Sequence, residues 1–120
     1  MELGLIHQVE GAYDVLTPQG EVDIATYPVL RDALVGLLGS GRHELLVDLS
    51  ETTFIDSTAL GTLISARAKA IAAGGSFTLV YADPRTVKLF EITRLSEVFT
   101  RFESRATWRG SLAGTDELGA

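Results

Sequence analysis

Asp56-Ser57-Thr58 sets a carboxylate and two hydroxyls just ahead of the helical pattern that begins at Leu60. A helix start offers free N–H groups and a partial positive charge, and both favour an anion. In open α/β folds, sites gather at the C-terminal ends of strands. Ser57 therefore stands where a hydroxyl could carry a phosphate. Asp56, Ser57 or Thr58 serves equally as a plain N-cap, worth about 1 kcal/mol. A second candidate segment is Gly20-Glu21-Val22-Asp23-Ile24-Ala25, which also reads as a solvated turn. Along the helix, Ser57, Gly61 and Ser65 recur every four residues and share one face. Thr58 and Thr62 flank them. Such a smooth row suits close docking of a partner, or of a neighbouring element within the fold. The apolar positions of the same helix claim the core side, which turns the small-residue row outward.

Other chemistries lack their residues. With no cysteine there is no disulfide framework, thiolate metal site or cysteine nucleophile. His7 and His43 stand alone, without metal-ligand spacing. Gly39-Ser40-Gly41 follows a helical run instead of opening one, so it is no phosphate cradle. Asp48 and Glu51 are carboxylates without an accompanying nucleophile and read as a strand-end turn. No enzyme, cofactor or metal is expected. The 120 residues hold 16 acids and 10 bases, a net charge of −6, and the arginines are scattered among acids. A polyanion binder needs a basic stripe, so nucleic acid is not an expected partner. No apolar run approaches the roughly 18 residues of a membrane span. Met1-Glu2-Leu3-Gly4 lacks the features of a signal peptide, so a cytoplasmic chain is expected.

The elements that must position these residues follow from pattern. Leu3–Val9 and Ala12–Thr17 read as a hairpin around Glu10-Gly11, and Pro18-Gln19-Gly20 breaks the second run. Thr26 caps a helix with Pro28 in its first turn, which ends at Gly39-Ser40-Gly41. Leu45–Leu49 and Phe77–Tyr81 are short apolar runs of the kind buried on both faces of a parallel sheet. Between them lies a long helix with Leu60, Leu63, Ile64, Ala68 and Ile71 on one face, stopped by Gly74-Gly75. That makes a right-handed βαβ unit. Asp83-Pro84 opens a helix with Val87, Leu89, Phe90 and Ile92, and Val98–Phe102 is an outer strand. From Ser104 the pattern fades, leaving at most a short helix near Trp108, a partial packing anchor. The expected class is α/β: one domain with a small, mixed, partly parallel sheet and about four helices.

Taken together, Gly20-Glu21-Val22-Asp23, the Leu45–Leu49 strand, Phe54-Ile55-Asp56-Ser57-Thr58-Ala59-Leu60-Gly61, Gly74-Gly75 and Phe90–Leu95 resemble the STAS domain. The match is nearest the anti-sigma factor antagonists of bacterial partner switching and runs from about Leu3 to Glu103. It implies a domain over residues 1–103 and a tail over 104–120, a short helix or disordered. The resemblance further implies phosphorylation of Ser57 by an anti-sigma factor that is a GHKL-type serine kinase. Thr58, the neighbouring hydroxyl, reads either as a second acceptor or, more simply, as a helix-start hydroxyl with no regulatory role. A PPM-type phosphatase would remove the phosphate. The unphosphorylated chain would bind the anti-sigma factor and free the sigma factor, a transcriptional control of the stress-response kind. Asp23, Asp56, Ser57, Thr58, Gly61, Thr62 and Ser65 would form the partner surface, on a chain monomeric when free. Ala59 stands where the family motif has glycine. The same fold also serves stressosome-type scaffolds and lipid-transport accessory subunits, the alternative that the resemblance leaves open.

The electrostatics of such a switch are simple. Phosphoserine adds about −1.5 to −2 charges at neutral pH. Beside Asp23 and Asp56, that charge should stay in water and leave the fold unchanged. A docking surface around Ser57 would have to desolvate it.

Overall fold

A computed structural model describes residues 2–119, with side chains through Leu112. Six strands and four α-helices alternate: β1 Gly4–Glu10, β2 Tyr13–Val22, α1 Tyr27–Gly39, β3 Glu44–Asp48, β4 Thr52–Ile55, α2 Ser57–Ala72, β5 Ser76–Val80, α3 Pro84–Ile92, β6 Thr100–Phe102 and α4 Arg105–Gly119. The strand order is β1-β2-β3-β5-β6, with β4 paired to the far end of β2. β1 is antiparallel to β2, and every other pair is parallel. The mixed α/β class and the βαβ unit β3-α2-β5 are as the sequence predicts.

Pro18 does not break β2. It lies where β2 hands over from β3, paired at Asp14–Leu16, to β4, paired at Gly20–Val22. Neither ladder on that side needs the N–H that proline lacks. The residues read as a turn and a loop, Gly20–Val22 and Thr52–Ile55, are therefore strands paired to each other, with a register shift at Gly20/Glu21. Four residues with exposed Thr53 and Phe54 gave no apolar run to mark β4. The outer strand is shorter than its sequence pattern and follows a 3-10 turn at Leu95–Glu97.

One core fills the space between the sheet and α1, α2 and α3, from Leu16, Leu45 and Val47 to Leu34, Leu63 and Phe90. The face of α2 that it takes is rotated from the expected one. Ala59, Leu60, Leu63, Ala66 and Ala70 are buried, while Ile64 and Ile71 are 42% and 48% exposed and Ala68 is exposed. The alanines keep the correct three-to-four spacing and let the helix lie close to the strands. Gly75 follows at φ-flexible Gly74 (φ 84°), and a Cβ at Gly75 would lie 2.0 Å from the His43 carbonyl oxygen. The two glycines therefore mark a close crossing as well as a helix stop.

α4 covers the other sheet face. It is a helix of 15 residues, longer than the short one the sequence predicts. Trp108 is 2% exposed, packed with Val15, Leu46 and Val80 and edge-on to Tyr13 at 5.2 Å. Arg105 fastens the helix to the strands. Its Nε donates to Asp48 Oδ2 at 2.6 Å, and its Nη atoms donate to Gln8 Oε1 and Thr17 Oγ1 at 2.7 and 2.6 Å. Asp48 is thus a buried anchor, beyond the strand-end turn that the sequence suggests.

Candidate functional site

The β2–β4 pairing is what assembles the site. Val22 is in register with Ile55, so the next residues of each strand, Asp23 and Asp56, leave the sheet side by side. Asp56 is the N-cap of α2. Its Oδ1 accepts from the Thr58 and Ala59 N–H groups at 3.0 and 3.1 Å. Its Oδ2 accepts from Ile24 N–H at 3.2 Å, tying the β2–α1 loop to the helix start. Of the three capping candidates in the sequence, Asp56 is the one that caps.

Asp23 has a comparable local duty. Its Oδ1 accepts from Ala25 and Thr26 N–H at 2.9 and 3.1 Å, and its carbonyl accepts from Tyr27 N–H at 2.8 Å. Thr26 does not cap α1 with its side chain, against expectation. Its hydroxyl donates to the Glu21 carbonyl at 2.6 Å, because Asp23 already serves the first N–H groups of the turn. Both carboxylates are half-buried, and their hydrogen bonds hold two loops in one arrangement.

Ser57, the first residue of α2, is exposed, and its hydroxyl has no hydrogen-bond partner among the described residues. Thr58 is half-buried. Asp56 engages the Thr58 and Ala59 N–H groups, the next two along the helix start. Gly61 and Ser65 are exposed and Thr62 is half-buried, so the small-residue row lies outside the core as the sequence predicts. Thr58, Gly61, Thr62 and Ser65 line one wall of a groove of about 310 Å³, and Tyr27, Arg31 and Val35 of α1 form the other.

The structure thus brings together all seven residues that the sequence singles out, along one edge of α2 and the loop beside it. Two further residues, not marked by their sequence pattern, lie beside them. Ile24 and Phe54, next to the two carboxylates, are 74% and 51% exposed. An apolar residue inside a segment otherwise read as turn was the available signal. Among the described residues no group of three or more His, Asp or Glu side chains could hold a metal, and no helix is long and apolar enough to cross a membrane.

Comparison with known proteins agrees with this architecture. The chain is 35% identical over 79 residues to the anti-sigma-B factor antagonist of Bacillus subtilis, which covers 66% of this chain and 72% of that protein. An anti-sigma factor antagonist of Mycobacterium paratuberculosis superposes with a TM-score of 0.78 at 24% identity, over 85% of this chain and 86% of that one. The antagonist SpoIIAA in its unphosphorylated form superposes with a TM-score of 0.71 at 17% identity, over 93% and 98% of the two chains. The profile of the STAS domain matches residues 6–107, nearly all of the sheet and the start of α4, and the chain belongs to the STAS domain family.

Proposed function

We propose that this chain is an anti-sigma factor antagonist whose affinity for its partner is set by a phosphate on Ser57. The unphosphorylated chain binds an anti-sigma factor of the GHKL kinase type and releases the sigma factor. The kinase phosphorylates Ser57, binding is lost, and a PPM-type phosphatase resets the chain in the cytoplasm. The chain acts here as a regulatory partner and is itself the kinase's substrate. Its relatives named as antagonists support the class of function.

The observation that carries the reading is the Ser57 hydroxyl, exposed and unbonded beside a carboxylate whose oxygens are already engaged. A kinase can reach it without unfolding α2. The added dianion stands on the docking surface, where Asp56 already engages the Thr58 and Ala59 N–H groups. A desolvation penalty of about 4 kcal/mol there lowers affinity about a thousandfold. Thr58, half-buried against the groove, is the poorer acceptor.

The test is phosphorylation of the purified chain by the GHKL-type anti-sigma factors of its host, with sites read by mass spectrometry. One phosphate on Ser57, abolished in Ser57→Ala and retained in Thr58→Val, is the expected result. Phosphate on Thr58 alone, or on neither residue with every such kinase, contradicts the assignment.

A further inference from the structure

We propose that the groove between α1 and α2 receives an amphipathic helix of the anti-sigma partner, with an acidic side chain of that helix at the Lys69 end. The inference rests on the partner-binding reading of Ser57 and extends it to a second, electrostatic contact three helical turns away.

The groove is apolar between its walls. Leu34, Leu38 and Ala66 line it, and Val35 on the α1 wall is 51% exposed. The face of α2 that carries the small-residue row continues four residues beyond Ser65 to Lys69. Ser57 and Lys69 are twelve residues apart, about 18 Å of helix rise. Over that length the wall is low: a Cβ added at Gly61 would meet nothing within 4 Å. A straight helix of comparable length could lie along it.

The charge along α1 and α2 is the opposite of the charge of the molecule as a whole. The chain carries −6 overall. Yet α1 and α2 hold Arg31, Arg67 and Lys69 against Asp32 alone. Lys69 is exposed and makes no ion pair among the described residues. Arg31 is held at the lip of the groove, 5.2 Å above the Tyr27 ring and 3.0 Å from exposed Asp32. Two cations facing one apolar trough call for an acidic, amphipathic occupant.

Two other occupants fit less well. A second copy paired about a two-fold axis would set Arg31 and Lys69 against themselves, since such an interface places the same patch on both sides. The chain's own α4 is committed to the opposite sheet face through Trp108 and Arg105. Like rim charges at other interfaces, Arg31 and Lys69 should act through association rate and salt dependence.

The experiment uses the full chain and the purified anti-sigma kinase that phosphorylates Ser57, with affinity measured by calorimetry at low and high salt. Arg31→Glu/Lys69→Glu should bind about tenfold or more weakly at low salt, with a flattened salt dependence. Gly61→Leu, which fills the groove, should weaken binding at both salts. Lys88→Glu, an exposed cation on α3 outside the groove, should bind as wild type. Thermal melts check folding, and Lys69→Gln carries the test if the double variant does not fold. Wild-type affinity in the double variant, while Ser57→Asp loses binding, overturns this inference and leaves the Ser57 switch standing. Failure of the wild type to bind any such kinase overturns both. A concentration-dependent dimer of the free chain that the double variant abolishes assigns the groove to a second copy, and overturns the inference as well.

Discussion

At the scale of single residues, Asp56 is engaged in holding the start of α2, apart from Ser57. Its oxygens accept from Thr58, Ala59 and Ile24, which leaves the serine hydroxyl outside the cap. Replacing Asp56 by Ala orphans all three N–H groups. Loss of an N-cap costs about 1–2 kcal/mol, so the melting temperature of Asp56→Ala should fall by roughly 4 °C or more. The variant should also loosen the Ile24 loop, read as faster amide exchange at Ile24. An unchanged melting point would remove Asp56 from its structural role. Ile24 and Phe54 make the complementary prediction. Exposed apolar residues beside a docking point are candidate anchors. Ile24→Ser or Phe54→Ser should leave stability within about 0.5 kcal/mol and weaken kinase binding at least about tenfold. Wild-type binding by both would exclude them from the interface.

At the scale of elements, what was legible in the sequence followed from local signals. Asp83-Pro84 announced α3, and Asp83 does cap it by accepting from Arg85 N–H at 2.8 Å. The continuous apolar runs at β3 and β5 announced a parallel pair. Ser57, Gly61 and Ser65 share a face by spacing, and the apolar positions beside them on α2 marked that face as the outer one. What was not legible depended on partners far along the chain. β4 is a strand because β2 runs past Pro18 to meet it, which neither segment reveals by itself. α4 offers only Trp108 and Leu112 as described apolar anchors, too sparse for a helical stripe. Its attachment is an ion pair spanning 57 residues, Arg105 to Asp48. That pair is mostly buried, with the two side chains 20% and 6% exposed. Removing one member strands the other, at a cost of about 3–5 kcal/mol. Arg105→Met alone should therefore destabilise strongly in urea, and Asp48→Asn/Arg105→Met should recover much of the loss. Equal midpoints for the single and double variants would contradict a buried ion-pair clamp.

At the scale of the whole molecule, the acid excess bears on both stability and switching. Burial pushes the Asp14 carboxyl up, but hydrogen bonds from Arg42 and His7 outweigh it and hold the group below the ordinary carboxylate range. The Arg109 guanidinium holds Glu10 below its ordinary value against a smaller opposing effect of burial. A lowered folded-state value gives stability that is present above the unfolded value and lost as pH falls through the folded one. Asp14→Asn should thus flatten the decline in urea midpoint below about pH 4, and an unchanged slope would assign that decline elsewhere. Above that range the carboxylates are charged and the molecule is a stable acidic platform. The proposed phosphate on Ser57 would add about −1.5 to −2 charges to it. α2, capped by Asp56 and buried along Leu60 and Leu63, has no reason to move. The proposed switch is accordingly one of surface, not of shape. The most direct measurement is the affinity of the anti-sigma kinase for the unphosphorylated chain, the Ser57-phosphorylated chain and Ser57→Ala, each with its backbone amide spectrum recorded. Tight binding is expected of the unphosphorylated chain and of Ser57→Ala. Binding about a thousandfold weaker is expected after phosphorylation, with spectral changes confined to the start of α2 and the Asp23 loop. Equal affinity of all three forms, or spectral changes spread through the sheet and α4, would contradict the proposed switch.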